Sequence, residues 1–176
     1  MILRLFFILL LSILTAAISY GQADDMPQEY LVKAKYLLNM PLFTEMPAQT
    51  KNGSTYTICL MGDTPLENVL SASNGKLIKN RPLVVRKVED LSEVDNCQML
   101  FIAASERHRL QTLLSEAHRR GILTVSDMRN FARLGGMISL LTVDNRVTFD
   151  LNRSVANKVS IFFSSQLLKL AHDIIN

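Results

Sequence analysis

Residues 98–125, QMLFIA-ASERHRLQTLLSEAHRRG-ILTV, carry three signals in order. Gln98–Ala103 is a nearly unbroken apolar run, the pattern of a strand covered on both faces. Glu106–Arg120 reads as a helix, with Leu110, Leu113, Leu114 and Ala117 at helical spacing and Ser105 placed to cap its start. Cationic Arg119 and Arg120 fall in the last turn, where the helix dipole favours them, and Gly121 ends it. Ile122–Val125 is the next strand. A buried strand, a helix and a second buried strand make a βαβ unit, which sets its two strands parallel in one sheet.

The flanking segments extend that unit. Upstream, residues 27–45 read as a helix: Pro27 fits a first turn, and Tyr30, Ala34, Leu37, Leu38 and Leu42 repeat at helical spacing. Pro41 predicts a kink or an early end near Met40. Asn52-Gly53-Ser54 is a turn, Thr55–Met61 (TYTICLM) a strand, and Gly62-Asp63 its end. Thr64 can cap a short helix, with Pro65 at its first position and Glu67 closing a capping box; it ends by Asn74-Gly75. Arg81–Val88 is a further strand. Downstream, a two-residue turn at Asp144-Asn145 pairs Thr142 with Val147, Leu140 with Phe149 and Ile138 with Leu151, which places the large apolar partners on one face. A final helix is expected over Arg153–Ile174. The fold class is therefore α/β: a single domain over residues 24–176, with a mixed, mostly parallel sheet flanked by helices, a C-terminal β-hairpin and a final helix.

Residues 1–23 stand apart from this pattern. Met1–Arg4 is a short positive region, Leu5–Ile18 an apolar stretch, and Gly21 and Ala23 stand at the −3 and −1 positions of a small-residue cleavage site. Together these read as a secretory signal peptide cut after Ala23, since the apolar stretch is short for a membrane span of about 20 residues. The mature chain is expected in the periplasm. Export changes how the chain's two cysteines are read: in an oxidising compartment Cys59 and Cys97 point to a bridge, and the absence of CxxC argues against a thioredoxin-like catalyst.

Composition narrows the chemistry. A net charge of +3 on 176 residues gives no field that would recruit nucleic acid. Three histidines and no tryptophan argue against multi-histidine metal sites and base-stacking platforms. His108 and His118 lie ten residues apart on one helix and diverge, so they do not share a metal. Gly62-Asp63 and Ser126-Asp127 end two strands, where a doubly wound sheet holds small ligands, but neither carries a phosphate-binding glycine pattern. The simpler readings are a tight turn and a helical cap. Gly135-Gly136 supplies positive φ or a close backbone approach. No nucleophile, base and orienting acid assemble from the motifs, no cofactor is expected, and the chain is read as no enzyme. Asn52-Gly-Ser and Asn152-Arg-Ser match a glycosylation pattern. On the final helix Val159, Phe163, Leu167, Leu170 and Ile174 form a core stripe, while Ile161, Leu168 and Ile175 cluster on nearly the opposite side. That second stripe predicts contact with a partner or a second copy.

An ordered set of short motifs resembles the YfiR family of small exported bacterial regulators. The set begins with Glu29-Tyr-Leu-Val-Lys33-Ala34, Tyr36-Leu-Leu-Asn39 and Ile58-Cys59-Leu-Met-Gly62-Asp63. It continues through Gly75-Lys76, Arg81-Pro-Leu-Val-Val85, Cys97-Gln-Met-Leu-Phe-Ile102, Ser105-Glu106, Leu123-Thr-Val-Ser-Asp127 and Phe131-Ala132. It ends with Gly135-Gly-Met-Ile138, Arg146-Val-Thr-Phe-Asp-Leu-Asn152, Ser164-Ser-Gln-Leu-Leu168 and Leu170-Ala171. The resemblance implies a non-enzymatic periplasmic repressor that binds the periplasmic sensory domain of an inner-membrane diguanylate cyclase and holds it inactive. Cyclic-di-GMP and biofilm formation then fall. It also implies a homodimer, an outer-membrane lipoprotein that sequesters the repressor, a bridge between Cys59 and Cys97, and repression weakened by disulfide reduction. One departure is Phe43-Thr-Glu45-Met46-Pro47 after Pro41, where family members often carry an aromatic-rich run ending in Glu-Trp-Pro. If that segment contributes to partner choice, the partner here differs. The alternative function is a periplasmic small-ligand sensor feeding a membrane histidine kinase or cyclase, with its crevice at Gly62, Asp63, Ser126 and Asp127.

Overall fold

The computed structural model describes residues 28–47 and 53–176. The expected signal peptide, Pro27 and Asn52 lie outside the described residues. Helix α1 (Gln28–Asn39) ends one residue before Met40, and Met40–Phe43 tightens into a 3-10 turn around Pro41, which has no N–H to continue an α-helix. The chain then forms β1 (Thr44–Glu45), β2 (Tyr56–Met61), α2 (Leu66–Ser71), β3 (Leu77–Ile78) and β4 (Arg81–Val88). After a short 3-10 turn come β5 (Met99–Ile102), α3 (Leu110–Arg119) and β6 (Leu123–Ser126). The hairpin β7 (Ile138–Val143) and β8 (Arg146–Asn152) follows, and the chain closes with α4 (Arg153–Lys158), β9 (Phe162–Phe163), α5 (Ser165–Leu170) and β10 (Asp173–Ile175).

Eight strands form one sheet in the order β10-β8-β7-β6-β5-β2-β4-β3. Strands β4, β2, β5, β6 and β7 run parallel, β8 antiparallel to β7, β3 antiparallel to β4, and β10 parallel to β8. Alternating side chains divide the core into two layers. Ile58, Leu60, Met99, Phe101, Leu123 and Val125 face α1 and α2, while Cys59, Met61, Leu100 and Ile102 face α3. The α3 layer is completed by Leu110, Leu113, Leu114 and Ala117, the face read from the sequence.

The hairpin register is the expected one, with Thr142 opposite Val147, Leu140 opposite Phe149 and Ile138 opposite Leu151. Asp144 and Asn145 both take positive φ, as a two-residue hairpin turn requires. Gly121 ends α3 at φ +66°. At Gly136 the reason is space: a Cβ there would lie 2.0 Å from the Phe131 ring.

Three local expectations are corrected. Thr64 and Glu67 do not close a capping box; the Thr64 hydroxyl accepts from Leu66 N at 3.3 Å, and Glu67 lies 3.9 Å from Lys87 Nζ. Ser105 does not cap α3, because Ala104–Arg109 is a 3-10 turn and the Ser105 hydroxyl accepts from Asp63 N at 3.0 Å. The largest correction is the single helix over Arg153–Ile174, which is broken. The Asn152 side chain caps α4 by accepting from Val155 N, Ser160 turns the chain at φ +59°, and Phe162–Phe163 pairs with β1. The Ser164 hydroxyl then caps α5 by accepting from Leu167 N. A continuous helix buries one stripe only. The aromatic and β-branched run from Val159 to Phe163 prefers an extended path, and the break lets Ile161, Phe163 and Leu167 all reach the core.

Candidate functional site

The residues expected to frame a ligand crevice are not brought together. Gly62 turns at φ +83° directly beneath Ser105, whose Oγ would lie 2.5 Å from a Cβ at Gly62. The turn after β5 therefore fills the space above it. The Asp63 carboxylate is exposed and pairs with Lys87 at 3.3 Å. Two strands away, at the end of β6, Ser126 is buried; its hydroxyl donates to Ile102 O at 2.5 Å and accepts from Met128 N at 2.9 Å, which caps a short turn. Asp127 points instead to α1, where it accepts from Lys33 Nζ at 2.9 Å.

Lys33 anchors a polar cleft of about 430 Å³ beyond the end of β6. Its ammonium also meets Glu29 at 2.7 Å and the Tyr30 ring at 4.9 Å from the centroid. Burial works to lower the Lys33 pKa, yet the hydrogen bonds to Glu29 and Asp127 prevail and hold it above its ordinary value. The hydrogen bond from Lys33, aided by one from Thr142, holds the Glu29 carboxyl below the usual range. Along the outer wall, Asp150 pairs with His172 at 2.9 Å and Arg133 with Asp173 at 2.7 Å.

A second, apolar depression of about 280 Å³ lies between α1, the 3-10 turn and α5. Val32, Tyr36, Met40, Phe43, Phe149 and Leu167 contribute to its walls, and Lys35 and Asn39 also line it. Tyr36 stands edge-on to Phe149, with centroids 5.4 Å apart. Phe43 connects this groove to a neighbouring one of about 400 Å³ whose lining includes Leu42 and Phe162. Around the pair, Leu170 is 68% exposed, Leu42 53% and Phe162 47%. The sequence reading placed Leu42 on the buried face of a helix. Pro41 redirects it outward, and Pro41 was the available signal.

Of the predicted partner-binding stripe, Ile161 is fully buried, and Leu168 and Ile175 are half-buried on separate elements. No single helical face carries them. Cys59 and Cys97 are joined, with Cα atoms 5.8 Å apart. Arg86 lies over the bridge, its Nη2 3.9 Å from each sulfur, and donates to Glu93 O at 2.7 Å. The three histidines are scattered: His108 is exposed, His118 is half-buried on α3, and His172 is beside Asp150. Among the described residues no group of three His, Cys, Asp or Glu side chains is placed to hold a metal. Asn152 is buried and occupied on both sides, donating to Ala132 O and accepting from Val155 N, so its glycosylation match has a structural explanation.

These features define a three-layer α/β domain stapled by one disulfide and carrying an exposed apolar groove on its helical face. The chain belongs to the YfiR/HmsC-like family, whose sequence profile matches residues 30–172. No curated protein matches it. Among solved structures it is similar to a conserved domain protein from Vibrio cholerae O1 biovar El Tor, at 12% identity and a TM-score of 0.57. It is also similar to the ABC domain from Streptococcus pneumoniae solved in complex with L-Trp, at 9% identity and a TM-score of 0.55. In each case the match covers 84% of this chain and 60% of the other, a likeness of fold alone.

Proposed function

We propose that the protein is an exported, non-catalytic regulator that docks on the periplasmic sensory domain of an inner-membrane diguanylate cyclase and represses it, lowering cyclic-di-GMP. Family membership and the disulfide support this reading, and the apolar groove flanked by Leu42, Phe162 and Leu170 carries it. Large side chains exposed together around a depression mark a surface that another protein covers. Burying each of the three contributes about 1–2 kcal/mol, enough for a specific complex when shape is matched. The occupant is an apolar segment of the cyclase's sensory domain, with polar or acidic flanks that suit Lys35 at the rim. Repression follows from binding one conformation of the cyclase in preference to the other. A second copy of the chain and an outer-membrane lipoprotein compete for the same surface, so sequestration relieves repression.

The test is complementation of a deletion strain with wild type and with a Phe162→Glu/Leu170→Glu variant. Both side chains are exposed, so export and melting temperature stay unchanged. Deletion raises cyclic-di-GMP, wild type restores the low level, and the double variant does not. Restoration by the variant overturns the groove as the docking surface, and a deletion without effect on cyclic-di-GMP overturns the function.

A further inference from the structure

We infer that the β3–β4 hairpin docks on an anionic lipid surface, with Leu77 reaching the boundary between headgroups and acyl chains. Strand β3 is the last of the sheet, and it pairs with β4 through Leu77 opposite Pro82 and Ile78 opposite Arg81. Lys79 and Asn80 make the two-residue turn, both at positive φ. Ile78 enters the core, so Leu77 and Pro82 face the other side of the sheet, where both are exposed. At 69% Leu77 is the most exposed large apolar side chain among the described residues.

Positive charge surrounds this leucine. Between Glu67 and Glu89 the sequence has no carboxylate and five cations, Lys76, Lys79, Arg81, Arg86 and Lys87. Lys87 pairs with Asp63 and Glu67, and Arg86 lies over the disulfide, which leaves three cations at the hairpin. Lys76 Nζ donates to Ser73 Oγ at 3.2 Å, Lys79 Nζ to Thr44 O at 2.5 Å and Arg81 Nε to Thr55 O at 2.9 Å. These neutral acceptors fix the cations in place without cancelling their charge. One carboxylate, Glu45, lines the neighbouring groove with Lys79, so the hairpin keeps an excess of positive charge. Cations beside an edge strand also keep two edges apart, but that role needs no exposed leucine. The apolar strip of Leu77, Pro82 and half-buried Val84 is well short of the roughly 800 Å² per partner of a stable protein interface. A second copy would bring like charges together. A bilayer surface asks for less: one apolar side chain at the acyl boundary and cations within about a Debye length of the headgroups. Each such cation adds about fivefold in affinity.

The test is co-sedimentation of the mature, disulfide-bonded chain with vesicles of phosphatidylcholine and phosphatidylglycerol in equal parts, and with vesicles of phosphatidylcholine alone. The mixed vesicles are expected to bind about tenfold or more tightly than the neutral ones, a difference that disappears towards about 1 M salt. Leu77→Ser and Lys76→Gln change exposed side chains, leave the melting temperature unchanged and each lower the affinity about threefold to fivefold. Arg107→Gln removes the same charge from the turn after β5, at the opposite end of the parallel strands from the hairpin tip, and leaves binding unchanged. No cyclase is present in the measurement, so its result is independent of the docking groove. The assignment is overturned if the chain ignores phosphatidylglycerol, if neutral vesicles bind as tightly, or if Leu77→Ser or Lys76→Gln binds like wild type. It is equally overturned if Arg107→Gln weakens binding as much, because net charge alone would then account for it.

Discussion

The imidazole of His118 on α3 has its Nε2 enclosed with no hydrogen-bond partner. Burial holds its pKa below the ordinary 6.5, because the charged form is the one that loses its hydration. The unfolded chain therefore takes up this proton first as pH falls. The contribution to stability is complete above about pH 6.5 and is lost progressively as pH drops from there towards the lower folded value. His118→Gln keeps a polar side chain and removes the titration. Its urea midpoint is expected to fall less than that of wild type between about pH 7.5 and about pH 5. Glu29 and Glu116, whose carboxyls are held below the usual range, titrate lower still and act equally in both proteins. Parallel midpoint curves would remove His118 as the source. Lys33 illustrates the opposite treatment of a buried charge, with two carboxylates in place to keep it ionised.

Strand β2 and the segment leading into β5 are joined by the disulfide, which closes a loop 38 residues long in sequence separation and encloses α2, β3 and β4. The chain-entropy account gives such a loop about 4 kcal/mol, which corresponds to roughly 8–16 °C in Tm for a domain of this size. Cys59→Ala/Cys97→Ala is expected to melt about 10 °C lower by calorimetry, and a drop of only a degree or two would show that packing alone fixes this crossover. Elements whose period and punctuation agree were legible in the sequence. The βαβ unit, the hairpin register and the early end of α1 at Pro41 all follow from residues that act locally. The C-terminal segment was not legible, because helical spacing from Arg153 to Ile174 is real while the break at Ser160 depends on β1 being available to pair with Phe162–Phe163. The same limit applies to the site. The groove exists only because α5 is a separate helix, and the cleft only because β6 stops three residues after Leu123 while β7 continues.

The whole molecule depends at one edge on its last few residues. Strand β10 covers β8 along Asp150–Asn152, His172 N donates to Phe149 O at 2.8 Å, and the His172–Asp150 and Arg133–Asp173 pairs fasten the strand from both sides. Each of these links is modest, since His172 and both partners of the Arg133–Asp173 pair are open to solvent and β10 is half-buried throughout. Together they close the sheet on the side where β8 would otherwise present unpaired backbone groups. A chain truncated after Ala171 loses all of them, at a cost of about 1–3 kcal/mol. Its freed β8 edge is then open to a second copy. The expected result is a lower Tm and an apparent mass by light scattering that rises with protein concentration, while removal of Asn176 alone changes neither. If the truncated chain keeps the wild-type Tm and mass, β10 is an ornament on a sheet already protected at β8. If it associates, adding Phe162→Glu/Leu170→Glu should leave that association intact, because the groove and the β8 edge are built from different elements of the fold.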